Sequence, residues 1–308
     1  MKRVRSASLD RKMDRMLKLE NEGKLKTEIG NRGLRKFKSN KLALFGLISF
    51  AIICILCYLA PVFTSFKATD IDLKKILIAP SSEHIVGTDQ LGRDLWSRIL
   101  YGGRISIAIG LGSALGSAVI GVSLGLIAGF NGGIFDKIVL KISEIFSSVP
   151  QLMLVLIMVA ITSPSLLNIL FIFVLTGWTG MYRMARARVL SIKEEEYIQS
   201  LKAFGIKKYI IEFKHILPNI VGPIFVNITL STSTFILQEA SLSFLGLGVP
   251  QEIATWGNIL NVVNGRLDYI VNNWWLWLPC GIFLTLFVLS INFIGDGLRD
   301  ATDPNEEG

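Results

Sequence analysis

Long apolar runs alternate with polar ones along this chain. The apolar runs fall at 42–63, 105–130, 145–161, 166–182, 220–237 and 274–294, and each reads as a membrane-spanning helix. The first, Leu42 to Phe63, holds 22 residues that at 1.5 Å of rise each reach about 33 Å, enough for a bilayer. In the second, Ser113, Ser117, Gly121, Gly125 and Gly129 recur every four positions, a continuous stripe of small residues on one helix face. Such a stripe admits another helix at close range, which matters because lipid supplies no hydrophobic drive for association. The third run passes through Pro150, and a short T-S-P-S turn leads to the fourth. The fifth carries Asn227, Thr229 and a Ser/Thr run at 231–234. The sixth opens on Trp274, Trp275 and Trp277, the aromatic belt of a membrane interface.

The polar segments are as informative. The longest, 193–222, predicts two helical pieces around Gly205, the second stopping at Leu217-Pro218. Proline lacks an amide proton and clashes with the preceding turn, so it is expected at a boundary; glycine permits the sharp turn. On spacing alone this is a loop with two surface helices. Segment 64–104 reads as an extended piece followed by an amphipathic helix with Leu91, Leu95, Trp96, Ile99 and Leu100 on one side, a helix suited to lying at the headgroups.

Composition agrees with this pattern. Of 308 residues 51% are hydrophobic and only 18% charged, with a mean hydropathy of +0.52, which is the balance of a membrane protein. The net charge of +8 is local: residues 1–41 hold 14 Lys/Arg and 5 Asp/Glu, the rest 18 against 19. A basic tail beside a span acts as a cytoplasmic orientation signal in contact with anionic lipid, and no nucleic-acid partner is expected. Cys54, Cys57 and Cys280 lie inside apolar spans and read as small packed hydrophobes rather than as a redox or zinc site. Two histidines, His84 and His215, are too few for a metal centre, so neither metal nor other cofactor is expected. The first span begins 42 residues in and lacks a small-residue cleavage site, as a transmembrane helix rather than a signal peptide would. With both termini inside, inner segments hold 25 Lys/Arg and outer ones 7, which the positive-inside rule favours.

Several motifs point further. Gly205, Ile216, Leu217 and Pro218 are spaced as in the "EAA" loop of ABC-transporter permeases, with Gln199, Ser200 and Leu201 at the E-A-A positions and Ala203 within the same stretch. Gly87 to Arg98, G-T-D-x-x-G-R-D-x-x-S-R, then Gly102, Arg104 and Ser106, resemble the approach to the second span in the "C" permease of oligopeptide, dipeptide and nickel importers. E-A-S-L-S-F-L-G-L-G from Glu239 and the G-D-x-L-R-D-x-x-D-P ending are similar to the same family. Gly132, Gly133, Asp136, Lys141 and Glu144 resemble its minor coupling segment, with Lys141 and Glu144 where Arg and Asp are usual.

This resemblance implies an all-α type I ABC importer permease in the cell membrane, with about six transmembrane helices and cytoplasmic termini. The parts are a tail at 1–41, a first helix at 42–63, an outer segment at 64–104, a core at 105–296 containing the coupling loop 183–219, and a tail at 297–308. It also implies partners: a second, homologous permease, two ATPase subunits that dock on the loop, and an outer peptide-binding protein. The chain has no catalytic residues of its own and no G-x-x-x-x-G-K-[ST] to cradle phosphates. Thr229, Ser231, Ser233, Gln238 and Glu239 are candidates for the translocation path, Glu239 being equally suited to a helix cap or interfacial acid. Nickel import uses a near-identical permease and stays open as a cargo. A stand-alone secondary transporter or channel would need midplane charge, of which the spans have almost none, and a membrane enzyme would need a nucleophile–base pair or a metal cluster.

Overall fold

The computed structural model describes residues 33–302; most of the basic tail at 1–41 and the last residues of the tail at 297–308 lie outside it. The described residues are nearly all helical and contain no strand, only an isolated bridge between Thr88 and Asp94. In lipid a helix satisfies every backbone donor and acceptor within its own segment, so apolar runs of this length have few alternatives.

Residues 33–39 form a short helix, and Asn40 then caps α1 (Lys41–Tyr58), its Oδ1 accepting from the amides of Leu42 and Ala43. One more turn, α2 (Ala60–Phe63), completes the first apolar run. The second span is α3 (Leu95–Asn131), 37 residues whose length of about 55 Å exceeds the hydrocarbon core even at a tilt of about 40°. No separate amphipathic helix lies at the headgroups: Asp94 caps the start of α3, which runs unbroken into the span, with Leu95, Ile99 and Leu100 buried and Leu91 left in the irregular segment before it.

The third apolar run is broken rather than straight. α4 (Gly133–Ser148) and α5 (Gln151–Ile161) meet at 87° across Val149-Pro150. Proline disfavours the α conformation in the residue before it, and Val149 is extended at φ −103°, ψ 134°. The 11 residues of α5 reach about 16 Å, roughly half the hydrocarbon thickness. α6 (Leu166–Lys193) continues well past the apolar run, and α7 (Glu196–Ala203) is the short helix before Gly205.

From Lys208 the chain is helical to Phe244 (α8), 37 residues without interruption. The expected stop at Leu217-Pro218 is absent. A π turn over Ile211–Ile216 precedes the proline, which then occupies the first turn of a fresh α segment, where its missing N–H matters least. α9 (Trp256–Asn261), α10 (Leu267–Asn272), a 3₁₀ turn (Trp274–Leu276) and α11 (Leu278–Thr302) complete the chain. Asn40 Nδ2 donates to Asp300 Oδ2 at 3.0 Å, so the start of α1 and the end of α11 lie side by side.

Two buried clusters mark the ends of the bundle. One gathers Ile53, Leu95, Ile99, Trp256, Leu276 and Phe287; the other gathers Leu126, Phe130, Ala185, Val189, Ile198, Ile211, Ile216 and Ile220. The second sits beneath the polar loop.

Candidate functional site

The loop between α6 and α8 is built from its caps outward. Gln199 Nε2 donates to the carbonyl of Lys193, one of the last carbonyls of α6, which lack helical partners. α7 ends in a Schellman motif: the Ile206 amide donates to the Leu201 carbonyl at 3.1 Å and the Gly205 amide to Lys202 at 3.0 Å. That motif requires a left-handed residue, and Gly205 has φ +73°, with open space where a Cβ would stand. Asn219 Nδ2 donates to the Tyr197 hydroxyl at 3.2 Å, tying α7 to α8.

The site residues divide into two sets. Ile198 and Ile216 are fully buried among Leu126, Phe130, Ala185 and Val189, and Leu217 is half-buried beside them. Gln199, Ser200, Ala203, Gly205 and Pro218 are exposed, and Leu201 is half-buried. The loop is thus seated on α3, α6 and α8 by one face and offers the other. Four residues on the offered side escaped the sequence reading: Phe204 at 83% exposed, Tyr209 and Phe213 near 60%, and Ile206. Their signal was available as apolar and aromatic residues set among lysines in K-A-F-G-I-K-K-Y-I-I-E-F. A large apolar group at such exposure, rimmed by polar residues, marks a surface that meets something.

The minor segment adjoins this loop. Asn131 at the end of α3 accepts from Lys208 Nζ and donates to Glu212 Oε1, each at 3.4 Å. Gly132 and Gly133, at φ +66° and +71°, turn the chain into α4. Asp136 takes a bidentate pair of bonds from Arg186, with Oδ1–Nε 2.5 Å and Oδ2–Nη2 2.6 Å, and so fastens α4 to α6. Lys141 and Glu144 pair with each other at the surface.

The small-residue stripe packs within the chain, against α6. A Cβ at Gly121 would stand 2.5 Å from Met181 Cβ and from the Trp178 carbonyl oxygen; at Gly125, 2.7 Å from Ala185 Cβ. Gly129 faces Val189, Ser117 Oγ lies 3.4 Å from the Phe173 carbonyl, and Ser113 is buried.

The five path candidates are not brought together. Glu239 is fully buried: Oε2 accepts from Ser106 Oγ at 3.1 Å and Oε1 from Ser243 Oγ at 2.8 Å, while Ser106 Oγ accepts from the Trp256 amide. That network fastens α3, α8 and α9 to one another. Ser233 is also buried, Thr229 lies against Gly295 of α11, and Ser231 and Gln238 are half-buried.

Comparison with known proteins gives this arrangement its context. The family described as the binding-protein-dependent transport system inner membrane component matches residues 121–307, and the N-terminal transmembrane domain of oligopeptide transport permease C matches 30–80. The oligopeptide transport system permease protein OppC of Bacillus subtilis is 40% identical over 269 residues, 87% of each protein. The dipeptide transport system permease protein DppC of the same organism is 37% identical over 270 residues, 88% of this chain and 84% of that one. In fold the chain is similar to a chain of the MetNI methionine ABC transporter in an inward facing conformation, with a TM-score of 0.55 and 21% identity over 67% of this chain and 97% of that one. Helical content, candidate spans and these matches agree: the chain belongs to the family of binding-protein-dependent transport system inner membrane components.

Proposed function

We propose that this chain is one of two homologous permease subunits of an ATP-driven peptide importer of the cell membrane, and that α7, Gly205 and the start of α8 receive the ATPase. The observation that carries the docking role is the two-faced seating of α7, with Ile198 sunk in the cluster that joins α3, α6 and α8, and Phe204 offered outward. Peptide cargo is supported by the names of relatives 37–40% identical over most of their length. The subunit supplies half of the pathway, while ATP is bound and hydrolysed by two partner ATPases and peptide arrives on an outer binding protein.

A nucleotide-driven change can act on the spans only through an element with two arrangements that both sites bias. α7 fits that requirement: a push on Phe204 and Gln199 reaches Ile198, which is buried in the cluster that gathers the ends of α3, α6 and α8. Asp136–Arg186 carries the same push to α4, and Asn131–Lys208 joins α8 to the end of α3. The candidate path residues narrow to the half-buried Thr229, Ser231 and Gln238, since Glu239 and Ser233 are enclosed within the subunit.

The assembled complex in proteoliposomes should take up labelled peptide only with ATP and binding protein present, and a cysteine at Phe204 should cross-link to an ATPase subunit. Uptake without ATP, or cross-links to lipid alone, would remove the docking role. Isolated permease should show no stoichiometric nucleotide binding.

With α7 in the cytoplasm, single cysteines at Ser81 and Asn264 should react with an impermeant reagent on intact cells and one at Lys208 should not. The reverse pattern would invert the assignment of sides.

A further inference from the structure

α8 begins beside α7 and ends at Phe244, 37 residues and about 55 Å away. At that far end a recess of about 300 Å³ is lined by Gln90, Gln251, Asn261, Val262, Asn264 and Arg266, with no acid among them. Its walls are held from behind. Asn258, 5% exposed, brings Nδ2 within 3.1 Å of the carbonyls of Val249, Pro250 and Ile253, and so fixes the turn that carries Gln251. Asn261 and Asn264 both donate through Nδ2 to the Phe244 carbonyl, at 2.6 and 2.9 Å. Ser231, Thr234, Gln238 and Ser241 share one face of α8, each half-buried or exposed. A line of polar side chains therefore leads from the middle of α8 to the recess.

The amides are oriented by neighbours that can act in one way only. Arg266 Nη1 donates to Gln90 at 3.2 Å, and a guanidinium accepts nothing, so the Gln90 oxygen faces it and Nε2 turns away. A carbonyl only accepts, so Asn261 and Asn264 turn Nδ2 toward Phe244; Asn261 Oδ1 then takes an N–H from Gln251 Nε2 at 2.8 Å. The unspent groups follow from these bonds. Gln90 Nε2 and most of the guanidinium N–H bonds have no acceptor among the described residues, and Gln251 Oε1 and Asn264 Oδ1 have no donor there. The Arg266 guanidinium lies over the Tyr269 ring, 4.9 Å from its centroid, and forms no ion pair among the described residues.

The recess thus offers a cation and amide N–H groups beside two free carbonyl oxygens. Its donors suit a carboxylate, which an arginine holds through two parallel bonds. Its acceptors suit the main-chain N–H groups that precede the carboxylate of a peptide. A phosphate would set oxygen against Gln251 and Asn264, and an amino terminus would find no acid. We propose that the recess holds the C-terminal end of a peptide at the mouth of the candidate path. Arg266 and Gln90 take the carboxylate, and Gln251 and Asn264 accept from main-chain N–H groups. Peptide as the occupant rests on the reading of the chain as a peptide permease.

The full chain in phosphatidylcholine nanodiscs is mixed with trialanine, and magnetisation transferred from protein to peptide is read by NMR. The expected result is a saturable signal, strongest at the C-terminal methyl and absent with trialanine amide. Acetate should displace it well before inorganic phosphate does. Arg266→Gln should raise the Kd of trialanine about tenfold, as the loss of one hydrogen bond to a charged group does. Arg266 is exposed and its one hydrogen bond is to Gln90, so this variant leaves the fold alone, and Arg266→Lys should recover part of the loss. No saturable signal, equal signals from trialanine and its amide, or an unchanged Kd in Arg266→Gln overturns the proposal. So does an Arg266→Gln variant that keeps trialanine but loses the outer binding protein, which would give the recess to an acidic side chain of that protein. The readout needs neither ATP nor partner. Trialanine held here by a chain whose assembly imports no peptide would sink the permease reading and leave the recess occupied; import with no signal here would do the reverse.

Discussion

Gly205→Val should leave the subunit inserted at near-normal abundance and abolish peptide uptake. The reasoning separates two effects of a side chain. Sterically there is none, because a Cβ at this position meets nothing within 4 Å. Conformationally there is one: φ is +73°, a region that costs a β-branched residue roughly 1–2 kcal/mol or more. A bundle of five long spans survives that cost. The Schellman motif does not have to, since leaving the left-handed region breaks the bonds from Gly205 and Ile206 back into α7 and swings Phe204 and Ile206 away from their present direction. A shift of this size corresponds to a factor of about 5–30 in the population of the docking geometry. The series should therefore run Asn, Asp, Val in increasing loss, because Asn and Asp tolerate the left-handed region best. The measurements are labelled-peptide uptake, ATPase co-purification and membrane abundance in parallel. Normal uptake with Gly205→Val would reduce the stretch to a connecting loop; a parallel fall in abundance would assign it to folding instead.

The second large effect is at Gly121 and Gly125. Here even alanine should fail, and leucine should abolish assembly. The atoms in the way at Gly121 include the backbone of Trp178 and Tyr182, and at Gly125 the backbone of Tyr182 and Arg186, which cannot rotate aside as a side chain does. Overpacking of this kind costs typically 1–3 kcal/mol per site when neighbours can yield, and α6 yields only by moving as a whole. Because α6 delivers the chain to α7, the displacement also reaches the surface proposed to dock. Gly180 is the control: it lies on α6, exposed, with nothing near its added Cβ, and Gly180→Ala should be silent. Complex yield and thermal stability of the purified assembly read the result. Wild-type values for Gly121→Leu with Gly125→Leu would show that α3 and α6 are held by other contacts.

The apolar runs located the five long helices because lipid sets the length of hydrophobic sequence, and the third run became two helices broken at Val149-Pro150. They did not locate helix ends. Beyond the hydrocarbon, α3, α6 and α8 continue through polar sequence, where hydropathy is silent and caps such as Asp94 and the Gly205 motif decide. Prolines were half legible. Pro150 breaks its run, by an angle that no sequence rule supplies, whereas Pro218 breaks nothing because the wider turn before it removes the clash. The loop proposed to dock was marked in the sequence by its glycine and its I-L-P spacing. The sorting of its residues into seated and offered was not, since Ile198 and Phe204 are both apolar and only their partners distinguish them. Glu239 was ambiguous for a related reason: an acid in an apolar run signals something held, but Ser106 is 133 residues away in sequence.

The π turn at Ile211–Ile216 amounts to surplus chain: relative to a regular helix, the stretch holds one residue more than its rise requires. One residue of an α-helix is about 100° of rotation. The bearing of Phe204 and Tyr209 around the axis of α8 is therefore set by a count, not by an attraction. Two permeases with the same residues on this loop and the same spans, differing by a single residue between Gly205 and Leu217, would point those residues about 100° apart, and under the proposed docking role they could not share an ATPase.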